Sequence, residues 1–296
     1  MTDSVRAWLQ IHFCVVLWGF TAILGKAITL PALPLVWWRM MLVTAALLVI
    51  PGFWRGLARM SLRQIAIFSG IGAIVAMHWL TFYGAIKLSN ASVAATCMAM
   101  SPMLIALVEP WVVGKNFEWR DLIMGIAVVP GIVLIVGGTP PAMRAGIAVG
   151  ILSAIFVALF GTLNKRFIQK AGALTITGLE MGAGALTLAI ISMLAPFSDS
   201  AFVRPDRHDT VLLLVLALAC TLLPFALSLV AQRHLSAFAT GLAVNMEPVY
   251  AMFLAMAFFG EQHELSATFY LGVAIVFAVV FSHPFIAARQ AQASVR

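Results

Sequence analysis

Glu247 stands about eleven residues into an apolar stretch, directly before Pro248. A carboxylate at that depth of a bilayer-crossing helix costs about 3 kcal/mol or more, so it needs a reason to be there. Pro248 removes a backbone donor and loosens the helix, which frees nearby carbonyls to coordinate. Glu247 therefore either binds a cationic group or carries a proton, or else a neighbouring polar helix holds it for packing. His78 is a second titratable group in mid-stretch, followed by Trp79, Phe82 and Tyr83. His78 and Phe82 share one helical face, and Trp79 and Tyr83 share the next. An aromatic wall beside an imidazole suits an amphipathic or cationic ligand, and the alternative is plain core packing.

Other polar groups fall within apolar stretches. Arg39 and Glu180 occupy matching places in the two halves with opposite charge, as an ion pair or with Arg39 free to bind a carboxylate. Trp18-Gly19 has a counterpart in Phe160-Gly161, and such pairs allow close helix approach. Asn164, one turn on, is placed to line a cavity. Lys26 and Lys87 sit near stretch ends, where long cations snorkel to water. Glu109-Pro110 reads as interfacial or as part of a gate. Gly146xxxGly150 and Gly178xxxGly182 mark expected helix contacts.

No catalytic set accompanies these residues. There is no GxSxG elbow, HExxH pair, Walker loop or intramembrane Asp dyad. Cys14, Cys97 and Cys220 all lie in apolar stretches and read as packing residues, without disulfide or metal spacing. The expectation is thus no enzyme, no cofactor and no metal. Any transport is passive or driven by an ion gradient, with Glu247, His78 and Glu180 as candidate proton carriers.

The elements that must hold these groups are membrane helices. Apolar residues make up 62% of 296 positions, charged ones 10%, and mean hydropathy is +1.04. A soluble domain is nearer half apolar and a quarter charged. Apolar windows of about 20 residues recur along the chain, too long for barrel strands and without period-2 alternation. The net charge of +7 comes from Lys and Arg in short loops, and no basic run follows one helical face, so no nucleic-acid role is expected. The lipid bilayer and a small-molecule substrate are the expected partners; the oligomeric state is left open.

The chain repeats itself. Ala85-Ile86-Lys87-Leu88-Ser89-Asn90-Ala91 leads to Ser101-Pro102 and Gly114-Lys115, while Ala231-Gln232-Arg233-His234-Leu235-Ser236-Ala237 leads to Glu247-Pro248 and Gly260-Glu261. Fixed-period self-similarity means one unit built twice. The fold class expected is an all-α polytopic membrane protein of ten transmembrane helices, two inverted five-helix repeats around a central cavity. The spans are Trp8–Leu30, Leu35–Gly52, Gln64–Ile86, Ser92–Val113, Leu122–Gly138, Gly146–Phe167, Ala173–Ala195, Val211–Ala231, Ala237–Phe259 and Ser266–Phe285. The first reads as a retained helix without a cleavage site. The Thr139-Pro140-Pro141 break divides a first repeat, 1–142, from a second, 143–296.

Lys/Arg placement orients the chain. With the N-terminus inside, Arg6, Arg55, Arg59, Arg63, Lys115, Arg120, Lys165, Arg166, Lys170, Arg233, Arg289 and Arg296 are cytoplasmic. Lys87, Arg144, Arg204 and Arg207 fall outside, the last two in the long Pro196–Thr210 linker with Asp199, Asp206, His208 and Asp209. Both termini are then cytoplasmic, and five spans per copy make the halves antiparallel, an arrangement suited to alternating access.

Taken together, Leu17-Trp18-Gly19, Arg39 at the opening of the second span, and the two loop-helix-Pro-helix-Gly passages, Ala85 to Gly138 and Ala231 to Ser282, resemble the EamA-type branch of the drug/metabolite transporter superfamily. An acidic Gly-Glu pairing of that family is present at Gly260-Glu261 and replaced by Gly114-Lys115 in the first copy. The resemblance implies a ten-helix carrier of small metabolites, with many bacterial members resembling exporters of amino acids. The expected function is export of an amino acid or related amphipathic compound across a bacterial inner membrane. The expected binding residues are Glu247, His78, Trp79, Tyr83, Trp18, Asn164, Arg39 and Glu180. One rival is a carrier of anionic metabolites, such as a sugar phosphate or nucleotide sugar, drawn to Arg39 and Lys26. The other is a membrane scaffold or receptor whose polar groups are all internally paired.

Overall fold

Helix punctuation in this chain is set by Pro, Gly and short polar caps. The computed structural model describes residues 3–114, 119–194, 201–232, 243–244 and 246–293, and the regular elements among them are all helical. Lys115, Asp199, Arg233, His234, Ser236, Arg296 and the opening of the ninth expected span at Ala237 lie outside the described residues.

Helix α1 covers Asp3–Ala27 and α2 covers Ala32–Leu48. The expected second span ended at Gly52. Instead the helix stops at Leu48, and α3 (Pro51–Leu57) leaves at 90°, with Pro51 in the first turn where its missing N–H costs nothing. Helix α4 (Leu62–Leu88) opens on a capping box, Ser61 with Gln64. The expected fourth span is two pieces, α5 (Ala91–Met98), capped by Asn90, and α6 (Ser101–Val113), with a 46° bend along the run. Helices α7 (Trp119–Gly138), α8 (Arg144–Phe167) and α9 (Ala173–Leu194) follow. Asp206 caps α10 (Arg207–Leu214), which passes through a π-helical segment, Val215–Leu222, into α11 (Leu223–Gln232). Then come α12 (Glu247–Phe259) and α13 (Ala267–Ala293).

Helices α6 and α12 correspond closely. Each has 13 residues, carries Pro in its first turn and ends on a left-handed glycine, Gly114 at φ 80° and Gly260 at φ 65°. Only glycine takes that backbone region at little cost, so each stops where its glycine stands.

Four helical stretches are by themselves long and apolar enough to cross a bilayer: Val5–Ala27, Leu62–Leu88, Pro141–Asn164 and Ala173–Leu194. The two bent pairs bring the number to six, and Ile126–Gly138, Glu247–Phe259 and Ala267–Val279 are shorter apolar helices. The chain is a polytopic helical membrane protein.

The packed interior has two main parts. One, built on Leu35, Met40, Phe68, Tyr83 and Leu188, joins α1, α2, α4 and α9. The other, built on Val93, Met103, Val128, Phe269 and Val276, joins α5, α6, α7 and α13. Tight crossings rest on glycine. A Cβ at Gly72 of α4 would lie 2.3 Å from the Glu180 carbonyl oxygen of α9, so that crossing needs a residue without one. It brings the Glu180 side chain to a fixed depth in the bundle.

Candidate functional site

Where the two packed regions meet, a cavity of about 440 Å³ opens, lined from α1, α2, α4, α5, α6, α8, α9, the π segment and α12. That size is ordinary for a small-molecule site. Trp18, Arg39, His78, Trp79, Asn164, Glu180 and Glu247 all line it. Tyr83 does not. It is fully buried behind the wall, its ring packed over Gly25, and its hydroxyl meets Arg39 from outside the cavity.

Arg39 is the most constrained of these groups. Its Nε donates to Thr221 Oγ1 at 3.0 Å and its Nη1 to the Tyr83 hydroxyl at 2.7 Å. Its central carbon stands 3.7 Å above the Trp79 ring, a stacked cation–π contact. Thr221 is aimed by the π segment, where its own hydroxyl donates to the carbonyl of Leu216 five residues back. π-helical turns of this kind often occur at functional positions.

The expected Arg39–Glu180 pair is not formed. Glu180 instead accepts one long hydrogen bond, 3.4 Å from Asn164 Nδ2, and its Oε1 has no hydrogen-bond partner among the described residues. Glu247 lines the same cavity as Arg39. The Arg, Lys, Asp and Glu side chains lining the cavity among the described residues are thus Arg39, Glu180 and Glu247.

His78 is held from α8. Ser153 Oγ donates to the His78 carbonyl at 2.9 Å, so its proton is committed there, and the His78 Nδ1 contact to Ser153 Oγ at 2.8 Å must run from Nδ1–H. That assigns the neutral ring a proton on Nδ1 and leaves Nε2 as an acceptor. The ring also packs at 5.4 Å from Phe160 and 6.1 Å from Phe82, both of which line the cavity. The Trp18-Gly19 and Phe160-Gly161 pairs differ in packing. Gly19 lies against Tyr250 and Ala251 of α12, with a Cβ position 3.2 Å from both, whereas Gly161 meets Ile105 at only 3.9 Å.

Lys87 is exposed and Lys26 partly so, as expected of cations near stretch ends, and each also has a partner: Lys26 pairs with Glu261, and Lys87 donates to the Ile28 carbonyl. Residues not singled out from the sequence also line the cavity, among them Thr21, Ser101, Thr177 and Thr221. Ser101 had a signal, since it stands at the place of Glu247 in the repeated Pro motif. Thr221 had none.

The pattern of the EamA-like transporter family matches residues 6–137 and again 144–283. An uncharacterized transporter of Bacillus subtilis (strain 168), YyaM, is 28% identical over 166 residues, which are 53% of this chain and 54% of that protein. The chain thus spans about half the length of the curated relative it matches. A solved crystal structure of another protein aligns over 96% of this chain and 99% of its own, with a TM-score of 0.59 at 16% identity. That likeness shows the fold alone. The two family matches together cover most of the sequence: this membrane protein belongs to the EamA-like transporter family.

Proposed function

We propose that the protein exports an amino acid or related amphipathic compound by alternating access, as a secondary active or facilitative carrier. Its ten spans form two inverted five-helix repeats, 1–142 and 143–296, in a bacterial inner membrane with both termini cytoplasmic. The correspondence of α6 with α12, each ending on a left-handed glycine, supports the repeat. Two inverted halves provide two near-equivalent closures around one central site.

One observation carries the substrate class. The cavity is lined by Arg39, by Glu180 and Glu247, and by the aromatic rings of Trp18, Trp79, Phe82 and Phe160. Arg39 can receive a carboxylate, a glutamate can receive an ammonium, and the rings contact the apolar remainder. Glu247, His78 and Glu180 are the candidate proton carriers. The anionic-metabolite reading needs a basic pair facing the cavity, and Lys26 is engaged by Glu261 instead. A scaffold would have its polar groups internally paired, and Glu180 Oε1, Asn164 Oδ1 and Ser101 Oγ are not, among the described residues.

The test is efflux of a labelled amino-acid mixture from proteoliposomes, comparing the intact chain with Glu247→Gln. We expect flux from the intact chain and at least a tenfold loss in the variant. Unchanged flux in the variant returns Glu247 to a packing role. Absence of flux from the intact chain overturns the substrate class and makes anionic metabolites the next to assay.

A further inference from the structure

Two carboxylates in one cavity need not share a task. Glu247 shares the cavity with the Arg39 guanidinium. Glu180 is the more buried of the two carboxyl side chains. It is only 6% exposed, its one hydrogen bond is the 3.4 Å contact from Asn164, and Oε1 is without a partner among the described residues. Asn164 turns its NH₂ to Glu180, which leaves its own Oδ1 as a second buried acceptor without a donor. Two unmet acceptors thus sit side by side on adjacent helices, α8 and α9, at the cavity wall.

Buried acceptors without donors are uncommon, and each calls for a specific explanation. The complement of this pair is a group with several donors, no acceptor and a positive charge. A primary ammonium has three donors and no acceptor. A carboxylate or phosphate would set acceptor against acceptor here. A proton on Glu180 would meet Asn164 Oδ1 only with the amide turned over, and it would leave no site for a cation, which the titration below decides.

We propose that Glu180 and Asn164 form the ammonium subsite of the cavity, with Arg39 receiving the substrate's carboxylate. This rests on the cavity being an amino-acid site, and it assigns the two ends of the substrate to different walls. Gly72 keeps the subsite in place, because α4 can pass the Glu180 backbone only without a Cβ.

The experiment titrates the purified full chain with butylammonium and, separately, with butyrate, following binding calorimetrically. Glu180→Gln, Asn164→Ala, Glu247→Gln and, as a control away from the cavity, Gly70→Ala are compared, each first checked for a monodisperse folded peak. Butylammonium is expected to bind the intact chain and Gly70→Ala alike, at least tenfold more weakly after Glu180→Gln, severalfold more weakly after Asn164→Ala, and to be weakened less by Glu247→Gln than by either. Butyrate affinity should stay within about twofold in the Glu180 and Asn164 variants. Should Glu180→Gln not fold, the contrast between Asn164→Ala and Glu247→Gln decides alone. A larger loss in Glu247→Gln, or equal losses for both probes, overturns the assignment. No butylammonium binding to the intact chain overturns it too; amino-acid efflux from the same preparation then shows whether the underlying amino-acid reading also fails.

Discussion

Lys26 Nζ lies 2.7 Å from Glu261 Oε1, and the same carboxylate accepts from the backbone N–H groups of Ala91 at 3.0 Å and Ser92 at 2.7 Å. Gly260 makes this possible, since its left-handed turn ends α12 and drops Glu261 against the start of α5, where it is fully buried. One carboxylate thus ties the end of α1, the start of α5 and the loop after α12.

Removing the two partners should have unequal effects. Glu261→Ala leaves the buried N–H groups of Ala91 and Ser92 unmet, while Lys26 keeps Glu264 at 3.7 Å, and should cost about 3 kcal/mol of stability. Lys26→Ala removes a partly exposed cation and should cost about 1 kcal/mol. Thermal unfolding of both variants in the same detergent measures the difference, and equal losses would refute the shared role of Glu261.

Asp209 offers a pH test away from the cavity. Burial alone would raise its carboxyl, but hydrogen bonds from the Thr29 N–H at 2.9 Å, the Thr29 hydroxyl at 2.8 Å and the Leu30 N–H at 3.0 Å outweigh that, and the group is held below the usual carboxylate range. A depressed folded value stabilises above the unfolded value, about 4, and the benefit goes as pH falls through the folded one. The intact chain should therefore melt above Asp209→Asn by a constant margin between about pH 7 and pH 5. That margin should shrink in stronger acid.

Gly72 and Gly70 differ by half a helical turn and should differ sharply on substitution. A Cβ at Gly72 meets Glu180 backbone atoms at 2.3 and 2.7 Å, while Gly70 has nothing within 4 Å. Gly72→Ala must push α4 from α9, costing about 1–3 kcal/mol and lowering efflux by displacing Glu180. Gly70→Ala should be neutral or slightly stabilising. Melting and efflux of the two variants check both halves of this expectation.

Arg39→Lys keeps the charge and loses the arrangement. A lysine cannot donate to Thr221 and Tyr83 at once while stacking flat on Trp79. The substrate concentration for half-maximal efflux should rise about tenfold, or about 1.4 kcal/mol. Thr221→Val should raise it less.

How much of this was legible in the sequence depends on the kind of signal. Arg39, His78, Glu180 and Glu247 announced themselves because ionisable groups in apolar stretches are costly, and the structure gathers all four around one cavity. Tyr83 was misplaced because helical spacing says which residues share a face, not which way the face points. The partner of Lys26 was not legible because it lies 235 residues away. Thr221 gave no sign, since its role arises from a π turn that no local residue pattern marks. The broken second span was readable in Ile50-Pro51, and the apolar composition around it masked the break.

The most direct measurement is access to the cavity from each side of the membrane. Ser101 lines the cavity, and Ser101→Cys, in a chain with Cys14, Cys97 and Cys220 replaced by alanine, gives a single thiol there. An impermeant maleimide is applied to oriented proteoliposomes from one face or the other, with and without a saturating amino-acid mixture. Alternating access requires labelling from both faces and a slower reaction at each when the amino acids are present. Labelling confined to one face in every condition, at a rate the amino acids leave unchanged, would contradict it.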